Sequence, residues 1–579
     1  MLRIRRAIWV SALAGGLVFS APAAQGAPAI QNLLSGDWLQ RVGDDPAWYL
    51  DGASLDGKPL NMGISWERQG FQESPVACLQ KEVRLPRSLR GKPLVCEVRQ
   101  IAEHTDVYFN GQCLGATSGL GATPGPDQAG SFPLPEALIR WDAPNQLALR
   151  VRGHQWTGGD APDYVRLRLR DGGLPTASIA MDFSSADHVH ASALPVAIPI
   201  RIALSGMDRL EGRLRLRVET AMHQQVLLKD MPIALPMAKP FVLELGSLKP
   251  GFYQVLAQFS SDLCESQDVQ WLAVSPDRIE SPIVPLPGFD AFWDRARRDL
   301  AKVAPDSQAT LDPSRSTDRR RVHSVEMTSL DGLRIRAWYT VPNGKGPFPA
   351  VLHVPGYSVA MQPDWFTGDD GLIHLGLDIR GHGRSADVIH PGFGMPGYVG
   401  FRIHDADQYI YRGAYMDCGR ALEFLASRPE VDRARIAVEG MSQGGGLALA
   451  AAGLFPEYVA CCASAVPFLG SPEEHFRIRT IYEEEMREHL AIAKIGTWED
   501  SLRSMRMVDP RRFAGRIRCP VLMCVGLFDD DCPPYIGFTI YNHLKTRKEY
   551  RVFPNESHLL GGHWSERSTN WIRRQFGIE

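Results

Sequence analysis

The sequence predicts a multidomain chain: two N-terminal all-β sandwich domains, then an α/β domain with a mainly parallel sheet covered on both faces by helices. Three observations carry this. Short alternating apolar and polar runs, broken by turn residues, fill the first half of the chain. After a proline-rich stretch the pattern changes to continuous apolar runs that alternate with segments of helical periodicity, as strands buried on both faces require. At 579 residues the chain is also too long for one ordinary domain.

The first element is an address. Arg3, Arg5 and Arg6 precede an apolar run from Ala7 to about Pro22, and Ala23-Ala24-Gln25-Gly26-Ala27 offers small residues for cleavage. This is the pattern of a secretory signal peptide over 1–26, and it predicts an exported protein, periplasmic or secreted. The apolar run is shorter than the ~20 residues a membrane span needs, which disfavours an anchor. No other window is long and apolar enough, so an integral membrane protein is not expected. With 63 basic and 66 acidic residues the net charge is −3, and nothing marks the whole chain as a nucleic-acid binder.

Export permits disulfides, yet the ten cysteines do not form a framework. Cys418, Cys524 and the Cys461-Cys462 pair sit in apolar segments and read as small buried hydrophobes. A bridge among Cys78, Cys96 and Cys113 stays open. No CxxC or histidine-rich spacing suggests zinc, so no metal site is expected.

The first β region spans 32–172. Strand patterns occupy 77–85, 94–99, 147–151 and 165–169, and Asn110-Gly111 between two apolar runs is a two-residue hairpin signal. The second, 174–275, alternates at 196–202, 214–219, 241–245 and 253–259, and reads as an immunoglobulin-like sandwich without visible chemistry. Pro276, Pro282, Pro285 and Pro287 mark the boundary to the third region, 281–579.

In the third region, buried strands are predicted at 349–354, 375–379, 435–439 and 520–525, and a helix at 414–426. Gly440-Met441-Ser442-Gln443-Gly444-Gly445 joins one of these strands to a helix. A strand–GxSxG–helix junction is a nucleophile elbow, the mark of an α/β-hydrolase. The serine sits in a strained turn, so its neighbours must lack clashing side chains. Its hydroxyl projects free, and the Gln443 amide at the helix N-terminus can donate to an oxyanion. The fold orders its partners as serine, acid, histidine, each after a later strand. Asp529 follows the strand at 520–526 and His558 follows a strand-like run at 550–553. Asp530 and Asp531 are alternatives for the acid, and His563 for the base. The loop at 353–357 is placed to give the second oxyanion donor, the Tyr357 amide, while His353 and His382 read as structural or pocket-lining.

Two resemblances add to this. Trp66, Lys81-Glu82-Val83-Arg84-Leu85-Pro86, Val107-Tyr108-Phe109-Asn110-Gly111 and Asn145-Gln146-Leu147-Ala148-Leu149-Arg150-Val151 resemble the sugar-binding-type (galactose-binding-like) jelly roll of β-galactosidase-like glycoside hydrolases. The third region resembles the acetyl xylan esterase and cephalosporin-C deacetylase family. That likeness runs from Phe289-Asp290-Ala291-Phe292-Trp293 through Gly356-Tyr357, Asp364-Trp365, Asp378-Ile379-Arg380-Gly381 and Tyr411-Arg412-Gly413-Ala414-Tyr415-Met416-Asp417. It continues to the elbow, to Gly526-Leu527-Phe528-Asp529 with Cys532-Pro533-Pro534, and to Tyr541-Asn542.

The resemblance implies a Ser442–His558–Asp529 triad with the Tyr357 and Gln443 amides as oxyanion hole. It implies Trp365, His382 and Pro533 as pocket candidates, no cofactor, and an acetylated carbohydrate as substrate. Two positions depart from the family: His382 replaces a glutamine after the Arg-Gly pair, and Leu559 replaces a glutamate after the histidine. The family forms a ring-shaped hexamer, so a homo-oligomer is one expectation, which the two added β regions would alter. Rival readings are a serine peptidase of the prolyl-oligopeptidase kind and a carbohydrate-binding protein with an inactive hydrolase domain.

Overall fold

The computed structural model describes residues 37–61, 76–85, 87–99, 104–118, 129–152, 165–169, 175–206, 208–261, 263–366, 368–393, 397–562 and 564–578. The signal sequence expected at 1–26, Trp66 and His563 lie outside these residues.

The first β region forms a six-stranded and a three-stranded antiparallel sheet. Leu79, Val107 and Leu149 of one and Cys96, Val98 and Phe132 of the other share a core. The Asn110-Gly111 hairpin forms between strands His104–Phe109 and Gln112–Ser118. Both turn residues have positive φ, 47° and 82°, as a type I′ turn demands. Asn110 also fixes the turn from its side chain, accepting from the Gln146 amide at 2.7 Å and donating to Asn145 Oδ1 at 2.8 Å.

The second β region pairs a three-stranded with a five-stranded sheet. The strand Gln225–Leu235 escapes the sequence pattern because Val226-Leu227-Leu228 breaks the alternation and Pro232 interrupts it. Ala221, Phe252 and Ala273 of this region are buried within the core of the third. All ten cysteines are free thiols, and all but Cys113 are buried.

The third region is built on a nine-stranded sheet: β1 (Gln308–Leu311), β2 (Arg320–Thr328), β3 (Arg334–Pro342), β4 (Phe348–Val354), β5 (Ile373–Asp378), β6 (Val431–Met441), β7 (Cys461–Ala465), β8 (Val521–Gly526) and β9 (Lys548–Phe553). The spatial order is β1-β2-β3-β5-β4-β6-β7-β8-β9. The pairs from β1 to β5 are antiparallel, and from β5 through β4 to β9 they are parallel. β7 evades prediction because Cys-Cys-Ala-Ser-Ala lacks the branched and aromatic residues that mark strands.

Helices α1 (Phe289–Lys302), α2 (Ile410–Ser427) and α3 (Gln443–Leu454) pack on one face. Helices α4 (Pro472–Ile478) and α5 (Thr480–Ala493), with a further helix at Trp498–Val508, lie between β7 and β8, and α6 (Pro534–Tyr541) and α7 (Trp564–Gln575) follow β8 and β9. Strand residues divide by alternation. Leu352 and Val438 join the core with Trp293 and Leu447, while Val351 and Ala437 join Trp571 and Ile572 on the α7 side. Among the described residues no helix is long and apolar enough to cross a membrane.

One buried ion pair ties the loop after β5 to α2. Arg380 donates to Asp417 from Nε at 2.9 Å, from Nη2 at 2.8 Å and from its backbone amide at 3.0 Å. Ser329 Oγ donates to the same carboxylate, whose side chain has no exposed surface. Removing one partner strands a charge in the interior. Asp417→Ala is therefore expected to cost about 3–5 kcal/mol, read as a lower urea midpoint; a midpoint equal to wild type contradicts this.

Candidate active site

The elbow is formed by close backbone packing. Ser442 follows β6 and precedes α3 with φ 62° and ψ −123°, angles an L-residue adopts only under constraint. The constraint is visible in its glycines. A Cβ on Gly440 would lie 2.5 Å from the Gly444 carbonyl, and one on Gly444 would lie 2.5 Å from the Val354 oxygen. The Ser442 amide donates to the Ala465 oxygen at 2.9 Å, and its own oxygen accepts from the Phe468 amide at 3.0 Å. Its side chain is thereby left free of the backbone network.

That hydroxyl meets His558. Ser442 Oγ lies 2.9 Å from His558 Nε2. His558 Nδ1 lies 2.9 and 3.0 Å from the two Asp529 oxygens. With the Nδ1 proton held by Asp529, Nε2 is the acceptor that faces the serine. Asp529 has no exposed side-chain surface, but it is not left unsatisfied: Oδ1 also accepts from the amides of Asp531 at 3.0 Å and Cys532 at 2.8 Å. Burial pushes the Asp529 carboxyl up, against the pull of His558. Burial pulls the His558 imidazole down, but the hydrogen bond to Asp529 and its charge outweigh this and hold it above the usual imidazole value. Serine, imidazole and carboxylate come from the carboxyl ends of β6, β9 and β8. Such a relay can take a proton from the hydroxyl as it attacks an electrophilic carbon.

The alternatives for the acid point elsewhere. Asp531 accepts from Tyr482 Oη at 2.9 Å, and Asp530 pairs with Arg479 at 3.2 Å. His353, near the end of β4, joins a buried network instead. Its Nδ1 lies 2.6 Å from Glu439, its Nε2 lies 2.9 Å from His374 Nδ1, and His374 Nε2 lies 2.9 Å from Asp370. Burial pulls His374 down to about 4. The network ties β4, β5 and β6 beneath the elbow.

A second network orders the loop that carries Tyr357. The fully buried Gln443 side chain donates from Nε2 to the oxygens of Pro355 at 3.3 Å and Gly356 at 3.4 Å. It meets His382 Nε2 at 3.0 Å, and its Oε1 accepts from Tyr411 Oη at 2.7 Å. Burial pulls His382 down to about 4, so its ring is neutral and Nε2 can accept. The Tyr357 hydroxyl is engaged by the Tyr398 amide at 3.0 Å. Gln443 opens α3, so its own N–H has no acceptor one turn back.

Sequence reasoning assigned Gln443 a backbone role only and gave Tyr411 none. The helical spacing of Tyr411, Tyr415 and Cys418 marks the inward face of α2 and is the signal that places Tyr411 against the elbow. Of the three pocket candidates, His382 has no exposed surface and Pro533 is buried at the start of α6, whereas Trp365 is 58% exposed. Leu559, beside His558, is 66% exposed.

The acetyl xylan esterase family model matches residues 283–575. The acetyl esterase Axe7A of Xylanibacter ruminicola is 28% identical over 353 residues, 58% of this chain and 77% of that protein. Acetyl xylan esterase 1 from Thermoanaerobacterium sp. is 27% identical to this chain, of which it covers 52%; 98% of the solved chain is covered, with a TM-score of 0.48. Acetyl xylan esterase from Paenibacillus sp. R4 is 30% identical over the same shares, with a TM-score of 0.47.

The raised His558 pKa has a consequence of definite sign. Only the neutral imidazole accepts a proton, so the rising limb of kcat/KM against pH should lie above 6.5, the ordinary imidazole value. Asp529→Asn should lower kcat by about 10⁴-fold, because an amide that donates to Nδ1 enforces the wrong tautomer. A limb below 6.5 in the wild type contradicts the geometry.

Proposed function

The chain belongs to the acetyl xylan esterase family, which its residues 283–575 match, and from that premise we propose that it is an exported serine esterase that removes acetyl and other small acyl groups from carbohydrates such as acetylated xylan or xylo-oligosaccharides. Membership makes it a carboxylic ester hydrolase. The finer reading assigns Ser442 as nucleophile, His558 as base and Asp529 as the group that orients the imidazole. The observation that carries it is the 2.9 Å contact between Ser442 Oγ and His558 Nε2, continued at 2.9 Å to Asp529.

In this mechanism His558 takes the Ser442 proton as Oγ attacks the ester carbon. The tetrahedral oxyanion forms against the amides of Tyr357 and Gln443, and each such donor contributes about 3 kcal/mol. His558 then gives its proton to the departing sugar oxygen. Water, deprotonated by the same imidazole, attacks the acetyl-enzyme, and acetate leaves as Ser442 regains its proton. The steps call on no metal or organic cofactor.

Export rests on the basic and apolar pattern of 1–26, and an acetylated glycan outside the cytoplasm suits that address. The domain division that goes with this reading is 32–172, 174–275 and 281–579.

Acetate release from a panel of acetylated xylo-oligosaccharides and polysaccharides tests the reading. Ser442→Ala should lower the rate by at least about 10³-fold. An unchanged rate overturns the nucleophile assignment, and cleavage of amino-acyl anilides in place of acetyl esters would assign a peptidase. Expression in a Gram-negative host should give periplasmic protein whose N-terminus begins just after Gly26 or Ala27. Uncleaved protein confined to the cytoplasm would contradict export.

A further inference from the structure

The second β region touches the catalytic half at a place with chemical meaning. His223 lies in the turn between the strands Leu210–Thr220 and Gln225–Leu235, with φ 59°. The turn is fixed by bonds from the Thr220 amide to the Gln224 oxygen and from the His223 amide to the Thr220 oxygen, both 2.9 Å. Its neighbour Ala221 is buried in the hydrolase core. From this turn His223 Nε2 lies 3.0 Å from the carbonyl oxygen of Ile478. Ile478 is the last residue of α4, and a helix end leaves such carbonyls without an intrahelical donor. A histidine N–H is a suitable cap for them, and here it comes from 255 residues away.

The capped helix end holds the acid loop. Arg479, the single residue between α4 and α5, donates to Asp530 at 3.2 Å. Tyr482, in the first turn of α5, donates to Asp531 at 2.9 Å. His475 of α4 donates from Nε2 to the Asp531 backbone oxygen at 3.1 Å. The same loop then gives the amides of Asp531 and Cys532 to Asp529. The helix that leaves the loop is held from the same side: Phe538 of α6 packs on Phe252 of the second β region, ring centroids 5.6 Å apart. Asn542 donates to the oxygens of Pro276 at 3.0 Å and Ile279 at 2.9 Å in the connecting segment.

We propose that His223 is a positioning residue for the esterase reaction: by capping α4 it fixes the α4–α5 corner, and through that corner the acid loop that aims Asp529 at His558. The inference rests on the triad reading given above. It makes the second β region a working part of the catalytic assembly, because His223 caps the corner that holds the acid loop and Phe252 packs on the helix that leaves it.

The cap needs only an Nε2–H, which one neutral tautomer and the imidazolium both carry. Its loss should instead appear in the titration of His558, whose ring contacts Ser442 and the Asp529 carboxylate and lies in the field of the Asp530 and Asp531 charges. A misaimed carboxylate supports the imidazolium less, and the rising limb moves down toward the ordinary imidazole value.

The test uses the full-length protein with an acetylated substrate. His223→Ala should lower kcat by about tenfold, a scale set by the sensitivity of positioned groups to small displacements. KM should stay within twofold of wild type, the rising limb should shift to lower pH, and the melting temperature should change little. His223→Gln keeps an N–H donor at the end of a side chain of similar reach and should restore both kcat and the limb. An unchanged kcat and limb in His223→Ala, or an equal defect in His223→Gln, overturns the proposal. Ser442→Ala is measured alongside. Retained hydrolysis there sinks the triad reading, whereas an inactive Ser442→Ala beside an unaffected His223→Ala sinks the coupling alone.

Discussion

Ser442 holds backbone angles that ordinarily cost an L-residue about 1–3 kcal/mol, and the surrounding fold must supply that energy. It does so by removing space. Gly440 and Gly444 stand so close to each other and to the end of β4 that no Cβ fits at either position. The strand before the serine and the helix after it are locked into one geometry. Because β6 lies at the centre of the parallel part of the sheet, the turn projects at the edge where the loops after β4, β8 and β9 also gather. The rest of the site is arranged around that fixed hydroxyl.

A buried carboxylate beside it is the second constraint. Asp529 is tolerable in the interior because the imidazole and two backbone amides satisfy it. This sets a strict requirement on the loop that follows, which must present the amides of Asp531 and Cys532 in one direction. Gln443 meets a parallel requirement on the other side of the serine. Its buried amide is shared among the loop at 355–357, His382 and Tyr411. His382 fits this arrangement, since its neutral ring offers Gln443 Nε2 a further acceptor.

Much of this was legible in the sequence, for physical reasons. The elbow shows because strand, glycines and helix leave a local mark within a dozen residues. Asp529 and His558 follow from chain order, because each must come from the carboxyl end of a later strand. The Asn110-Gly111 hairpin reads directly, since only such residues accept two positive φ angles. What stayed hidden depends on side chains that are distant in sequence. Nothing local in Tyr411 says that it steadies Gln443, and nothing local in His223 says that it reaches Ile478. β7 was invisible because small residues can be buried without branched side chains. His382, read as structural or pocket-lining, lies fully buried beside the loop at 355–357, with Phe393 and Tyr398 packed against it.

The central claim is that Ser442 carries the acyl group, and it can be tested on the protein itself. A fluorophosphonate probe bonds covalently to a serine hydroxyl only when a neighbouring base activates it. Peptide mapping after labelling should place the adduct on Ser442, with none formed in the Ser442→Ala variant. An adduct on another residue, or an active esterase that takes up no probe, would contradict it.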